Sequence, residues 1–218
     1  MARPKQSIEE RLLAARVAIQ NALDDKSLQS SLAVFGYNQE KLEVGKALLE
    51  KAQSAQQTQQ SEYGDQYDAT DKVNRIWERA NKVYMRNVKI ARIALRDWRG
   101  ALSKLDLHGQ RKRAIAGWII QARQFYSGLL ADAEMMAKMA EFNITEEKLK
   151  AGQEQVNGVE AAHLIQGKEK GEAQIATQAR DAAMDELAQW MSDFITIARM
   201  ALEEEPQALE KMGIVEPS

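Results

Sequence analysis

The sequence predicts an all-α fold built from two copies of one helical unit, and three observations lead to this prediction. No proline interrupts the chain of 218 residues between Pro4 and Pro206, so long helices are permitted over that stretch. Leu, Ala, Glu, Lys, Gln, Arg and Met, which lose little conformational freedom in a helix, dominate the composition. The third observation is an internal repeat with a constant offset, in which Phe35 corresponds to Phe142.

The repeat extends over nearly the whole chain. Residues 8–111 aligned with residues 115–218 share 25 identities in 104 positions without a gap. The clearest segment is 35–45, which recurs at 142–152 with its Phe, its Glu-Lys-Leu and its Gly in register. Self-similarity at a fixed spacing indicates a tandem duplication. We therefore predict repeat units at 1–107 and 108–218, packed together without a linker about a pseudo-twofold axis.

Each repeat unit is expected to hold three long antiparallel helices and a short closing helix, close to a four-helix up-and-down bundle. Apolar residues at steps of three and four from Ile8 predict a first helix with one buried stripe, ending where Phe35 would hold the turn to the core. Phe142 would do the same in the second unit. Asn38 and Thr145 are the expected N-caps of the second helix.

The third helix should be the central one, because its apolar face is the broadest. Gly64 and Gly171 suit a helix C-terminus, which places the preceding turns at about 64–70 and 171–177. Arg92 and Arg199 lie at the edge of the face and are expected to pair with carboxylates. In the first repeat the face comprises Val73, Trp77, Ala80, Tyr84, Val88, Ala91, Leu95 and Trp98.

Several classes of chemistry lack the residues they need. The chain has no Cys, which excludes disulfides, thiolate zinc sites and cysteine nucleophiles. It has neither a Gly-x-Ser-x-Gly motif nor a phosphate-binding glycine loop. We therefore predict no catalytic residue and no cofactor. No apolar run approaches the roughly 18 residues of a membrane span, so we expect a cytoplasmic protein without a membrane partner.

One pair of residues has the spacing of a metal-binding motif. Glu160 and His163 form Glu-x-x-His, which places both side chains on one helix face as in di-iron bundles. Such a site needs a second copy of the motif, but the aligned positions in the first repeat are Gln53 and Gln56. A metal site at Glu160 and His163 is therefore not expected.

A basic surface is the main functional candidate. Between Asp71 and Arg113, thirteen Lys and Arg face only four Asp and Glu, although the whole chain has a net charge of −2. The candidate residues, hereafter the basic surface, are Arg75, Arg79, Lys82, Arg86, Lys89, Arg96, Arg99, Arg111, Lys112 and Arg113.

The corresponding part of the second repeat is acidic. Its residues, hereafter the acidic surface, are Asp181, Asp185, Glu186, Asp193, Glu203, Glu204 and Glu205. Opposite charges on related helices predict a non-catalytic interaction or scaffold protein that contacts a protein partner or itself. One alternative is a nucleic-acid-associated protein that holds phosphates on the basic surface. A solvated helix face and a ligand- or metal-binding bundle are further alternatives.

Overall fold

The computed structural model describes residues 6–214, which form eight helices and no strand. The all-α prediction is confirmed. The helices are α1 (Ile8–Asp24), α2 (Lys26–Val34), α3 (Gln39–Ala94), α4 (Arg99–Lys104), α5 (Ile115–Leu130), α6 (Ala133–Ala140), α7 (Glu146–Ala201) and α8 (Pro206–Lys211).

Helices in the two halves of the chain begin at positions that the repeat aligns. The first residues of α1, α2, α3 and α4 align with those of α5, α6, α7 and α8, and α3 and α7 both have 56 residues. The left-handed backbone positions follow the same alignment. Gly36 (φ 84°) corresponds to Asn143 (φ 60°), and Asp106 (φ 49°) corresponds to Gly213 (φ 70°). Helix starts and turn conformations thus repeat with the period seen in the sequence.

The predicted turns at 64–70 and 171–177 are wrong, because α3 and α7 continue through both segments. Glycine inside a helix costs only about 1 kcal/mol relative to alanine, which a long run of good helix formers offsets. Gly64 and Gly171 are therefore internal helix residues. The predicted second and third long helices are one helix in each half of the chain.

The predicted first long helix of each half is also wrong, because it is divided into two helices at Asp25 and at Asp132. The Asp25 carboxylate accepts hydrogen bonds from the backbone N–H of Ser27 (2.8 Å) and Leu28 (3.3 Å) and so begins α2. The backbone N–H of Leu28, then that of Ser27, lowers the pKa of Asp25. Asp132 caps α6 in the same way. A side chain that bonds the backbone N–H groups of a new turn ends the previous helix.

The turn before each long helix buries a different residue from the one predicted. Phe35 and Phe142 are 43% and 42% exposed, whereas Tyr37 and Ile144 are 3% and 2% exposed. Positive φ at the intervening residue reverses the chain, and the Tyr37 N–H reaches back to the Leu32 carbonyl at 3.1 Å. The residue two positions after the Phe therefore enters the core.

The expected N-caps of the long helices are confirmed. Asn38 Oδ1 accepts a hydrogen bond from the Lys41 N–H at 3.0 Å, and Thr145 Oγ1 accepts one from the Lys148 N–H at 3.5 Å. These bonds satisfy donors that the first helical turn would otherwise leave unpaired.

The chain divides into two compact units whose boundary falls inside both long helices. The terminal unit comprises Met1–Glu62 and Ala173–Ser218, and the central unit comprises Tyr63–Glu172. These units do not coincide with the predicted repeats at 1–107 and 108–218. Each compact unit instead combines segments from the first and the second half of the chain.

The core of the terminal unit forms between α1, the first part of α3 and the last part of α7. Ile19, Leu49, Ala52, Met184 and Leu187 are buried together there. A second cluster lies near α2 and α8 and includes Leu32, Leu42, Phe194 and Leu209. At about 25 cal/mol per Å² of apolar surface, these clusters supply much of the stability of the unit.

The central unit has one aromatic-rich core. Tyr84 of α3 packs edge-on against Trp118 and Phe125 of α5, with ring centroids 5.7 and 5.5 Å apart. The predicted core face of the third helix is confirmed, since six of its residues are buried and Trp77 and Trp98 are half-buried. Its six buried members are Val73, Ala80, Tyr84, Val88, Ala91 and Leu95.

Candidate interaction surface

The basic surface lies on the central unit, on the side of α3 opposite its core face. Its five residues within α3 are all exposed. They occur at alternating steps of four and three, which keeps them on one side of the helix. These residues are Arg75, Arg79, Lys82, Arg86 and Lys89.

The surface continues beyond the end of α3 with Arg96 and Arg99, both exposed. Arg96 Nε donates to the carbonyl oxygen of Ile93 at 3.3 Å. The Ile93 side chain is itself 47% exposed and occupies the next position of the α3 pattern after Lys89. A single exposed apolar residue therefore interrupts the row of cations.

Arg111 differs from the rest of the basic surface because it is half-buried and its guanidinium contacts the edge of the core. Its Nη1 donates to Tyr84 Oη at 2.7 Å, and its Nη2 donates to the backbone carbonyls of Asp106 and Gly109. Burial raises the pKa of the Tyr84 hydroxyl, while the nearby Arg111 charge lowers it. Arg111 therefore fixes the connection between α4 and α5.

Lys112 and Arg113 follow Arg111 and are exposed. The Lys112 N–H donates to Oε1 of the buried Gln121 at 3.0 Å, which holds the backbone before α5. Residues 105–114 thus form an ordered connection between α4 and α5.

The ten residues of the basic surface form no salt bridge within residues 6–214. Arg92, at the edge of the same helix, donates to the Leu107 carbonyl at 3.0 Å, so its predicted carboxylate partner is wrong. Unpaired surface cations produce a positive potential that extends about one Debye length, near 8 Å at physiological salt.

Three aromatic rings of the central unit belong to its core and do not lie between the cations of the basic surface, whereas Tyr67 of α3 is 63% exposed. Tyr84, Trp118 and Tyr126 are each at most 2% exposed. Trp118 Nε1 donates to Asn81 Oδ1 at 2.8 Å. Burial raises the pKa of Tyr126 to about 12, although the bond from Asn87 lowers it. These rings stabilise the core and are not available to stack on nucleotide bases.

The acidic surface lies on the terminal unit, and all seven of its residues are exposed. Glu186 forms a salt bridge with Lys51, and Asp181 forms one with Arg180, each with an N–O distance of 2.6 Å. Exposed pairs of this kind contribute at most about 1 kcal/mol each. The remaining carboxylates of the acidic surface form no salt bridge with any residue from 6 to 214.

Glu160 and His163 each contact another side chain. Glu160 forms an ion pair with Arg123 of α5, and His163 Nδ1 lies 3.3 Å from Gln166 Oε1. Neither belongs to a group of three or more potential ligands among residues 6–214. The arrangement shows a carboxylate joined to a neighbouring helix by an arginine.

Comparison of the chain with protein-family models, with curated proteins and with solved structures finds no match. Within residues 6–214, none of the helices combines the length and the apolar character that crossing a membrane requires.

Proposed function

We propose that the protein is a non-catalytic interaction or scaffold protein that binds an acidic protein surface through the basic surface of its central unit. The observation that carries this proposal is that ten neighbouring Lys and Arg residues form no salt bridge among residues 6–214. Charged groups across an interface set the encounter rate and exclude wrong partners. A carboxylate-rich partner would supply the missing counter-charges. We place this interaction in the cytoplasm.

The same proposal includes a tandem duplication as the origin of the fold. Support comes from the 25 identities between residues 8–111 and 115–218 and from helices that begin at aligned positions. After duplication, one half acquired Lys and Arg along its long helix, and the other acquired Asp and Glu. We infer that this divergence produced the two charged surfaces. A pseudo-twofold relation between the repeats remains a prediction.

A second copy of this chain is the first partner to consider. The acidic surface carries several carboxylates without a salt bridge among the described residues, for example Asp185 and Glu204. Its charge complements that of the basic surface. Contacts between unlike surfaces of identical chains are heterologous, so they build rings or open chains. Such assembly would suit a scaffold.

The nucleic-acid alternative is less well supported. Proteins that bind single strands combine cations with aromatic side chains on which bases stack. Here Tyr84 and Trp118 are buried, and the exposed Tyr67 precedes the first cation of the basic surface. Phosphate binding would require only the cations, so the alternative is best treated as one outcome of the test.

Sedimentation velocity tests the proposal. Self-association of the wild-type protein should be present at about 25 mM salt and weaker at about 300 mM, since salt screens exposed charges. The double variant Arg79→Glu/Lys89→Glu should weaken association at least about tenfold, because like charges facing each other across an interface cost several kcal/mol. A matched control is Lys104→Glu/Lys170→Glu, which makes the same charge change at exposed residues outside the basic surface.

Two outcomes would contradict the proposal. The first is a control variant that loses association as much as Arg79→Glu/Lys89→Glu does. The second is a wild-type protein that stays monomeric but retards duplex DNA in a salt-sensitive way, with the retardation lost in Arg79→Glu/Lys89→Glu. That second result would assign the surface to nucleic acid.

A further inference from the structure

The central unit contains a cleft of about 350 Å³ between the last part of α3 and the start of α7. Val83, Ile144 and Gly152 form part of its wall, together with Asn87, which is only 3% exposed. Asn87 Nδ2 donates to Tyr126 Oη at 3.1 Å, so this wall is held in place by a buried hydrogen bond. The volume falls within the range of about 300 to 1,000 Å³ for small-molecule sites.

The equivalent place in the terminal unit is filled by three aromatic rings. Trp190 stacks on Phe194 with centroids 5.0 Å apart, and Tyr37 packs edge-on against Trp190 at 5.8 Å. A Cβ added at Gly45 would lie 2.3 Å from the Trp190 ring, so the indole rests directly on the helix backbone. The indole therefore occupies the place above Gly45 that a ligand would need.

All three rings are replaced by smaller side chains in the central unit. In the alignment of the two repeats, Trp190 corresponds to Val83, Phe194 to Asn87 and Tyr37 to Ile144. Tyr126 of α5 partly compensates by covering Gly152, where an added Cβ would lie 2.5 Å from its ring. The side facing solvent is not refilled by any described residue, which accounts for the cleft.

The cleft also differs in charge from the equivalent site in the terminal unit. Lys82 and Arg86 line the cleft, whereas the corresponding residues near the three rings are Gln189 and Asp193. Lys148 is the third cation of the lining, and its Nζ donates to the Asn143 carbonyl at 2.7 Å. Its counterpart Lys41 instead lies 4.2 Å from the centroid of the Tyr37 ring. Among the described residues, three cations and no carboxylate line the cleft.

We propose that the cleft binds a small aromatic anion, a flat ring that carries a carboxylate or phosphate group. The ring would occupy the space that Trp190 and Phe194 fill in the terminal unit, against Val83 and Ile144. The anionic group would lie among Lys82, Arg86 and Lys148, where it would offset their mutual repulsion. This inference does not depend on protein docking, although Lys82 and Arg86 also belong to the basic surface.

Isothermal titration calorimetry with four defined probes tests the site. Indole-3-acetate and phenyl phosphate carry both the ring and the anion, tryptamine carries the ring with a cation, and inorganic phosphate lacks the ring. We expect saturable binding of one aromatic anion per chain. Tryptamine should not bind, and inorganic phosphate should bind at least tenfold more weakly than phenyl phosphate.

Two variants transfer the residues of the terminal unit into the cleft. Val83→Trp should fill the space, and Lys82→Gln/Arg86→Asp should remove its charge; each should weaken binding of indole-3-acetate at least tenfold. The double variant changes exposed side chains only. If circular dichroism shows that Val83→Trp does not fold, the double variant alone tests whether the cleft binds the ligand. The matched control Lys72→Gln/Arg75→Asp lies outside the cleft on the same helix and should keep the affinity within about threefold.

The inference is overturned if neither aromatic anion binds saturably, if inorganic phosphate binds as tightly as phenyl phosphate, or if the control variant loses affinity as much as the cleft variants. Its failure is distinguishable from that of the proposed docking. Arg79→Glu/Lys89→Glu should weaken association at least about tenfold but keep ligand binding, whereas Val83→Trp should weaken ligand binding at least about tenfold but keep association.

Discussion

Gly45 lies directly beneath the indole of Trp190, and a Cβ built at Gly45 would be 2.3 Å from Trp190 Cη2. The two residues belong to α3 and α7, and Gly45 is buried. Absence of a side chain at this position lets the indole lie against the backbone of a neighbouring helix. The aromatic stack of the terminal unit depends on this approach.

Gly45→Ala should therefore destabilise the terminal unit. The added methyl group must displace Trp190, and overpacking of this kind costs about 1 to 3 kcal/mol. The matched control is Gly64→Ala in the same helix, where an added Cβ meets no described atom within 4 Å. Gly64→Ala should stabilise by up to about 1 kcal/mol through helix propensity. Urea unfolding measures both, and equal effects would contradict the close packing of Gly45 and Trp190.

The continuity of α7 through residues 171–177 predicts opposite effects for two substitutions of Gly171. No described atom lies within 4 Å of a Cβ at Gly171, so Gly171→Ala should raise the free energy of unfolding by up to about 1 kcal/mol. Gly171→Pro should lower it by about 3 kcal/mol or more, because proline breaks the helix interior. Thermal unfolding followed by circular dichroism would measure the difference. A turn at 171–177 with Gly171 in the left-handed conformation would instead be destabilised by both substitutions.

Substitutions of Arg111 and Arg113 should show which arginine of the basic surface stabilises the fold and which contributes only its charge. Arg111→Ala removes hydrogen bonds to Tyr84 and to two backbone carbonyls, and bonds from a charged group contribute about 1.5 to 3 kcal/mol each. Arg113→Ala removes the same charge from an exposed side chain and should change stability by at most about 0.5 kcal/mol. Denaturant unfolding of the two variants compares them. An Arg111→Ala protein as stable as Arg113→Ala would show that these bonds do not hold the connection.

Tyr126 should make stability depend on alkaline pH. Burial raises its pKa from 10.0 to about 12 in the folded protein, so the unfolded chain loses this proton first as pH rises. The stabilisation is complete below pH 10 and is lost as the pH rises toward about 12, with a maximum change of about 3 kcal/mol. The free energy of unfolding measured across this range should fall less steeply in Tyr126→Phe. The exposed control Tyr67→Phe should keep the wild-type slope.

Periodicity predicted the core face of the third helix, because Val73, Tyr84, Val88 and Leu95 follow the helical repeat and are buried. Periodicity failed to predict the ends of helices, because a single capping or glycine residue determines where a helix begins or ends. Asp25 and Gly64 show the two errors. A capping carboxylate begins a new helix inside an apolar stripe, whereas an internal glycine costs too little to end one.

The sequence could not predict which segments of the chain make up each compact unit. A repeat fixes which segments resemble each other, but it does not fix which copies pack together. The boundary between the compact units inside α3 and α7 is therefore visible only in the structure. The charges of the basic surface were predicted, whereas the hydrogen bonds of Arg111 depend on the turn at Asp106 and on the position of Tyr84.

The cleft of the central unit was missed, although the aligned repeats contain its signal. Trp190 aligns with Val83, and Phe194 aligns with Asn87, so two large side chains are lost in one copy. A loss of volume at aligned core positions predicts either refilling by a neighbour or a cavity. Tyr126 refills one side, which only the three-dimensional arrangement shows.

Mixing two charge-reversed variants tests the proposed interaction most directly. Arg79→Glu/Lys89→Glu and Asp181→Lys/Asp185→Lys should each be monomeric at about 25 mM salt, since each variant places like charges opposite each other at the substituted positions when its own copies meet. Equimolar mixing should restore association in sedimentation velocity, because the reversed acidic surface of one variant faces the reversed basic surface of the other. A mixture that remains monomeric, while the wild-type protein associates, would contradict docking between the basic and acidic surfaces.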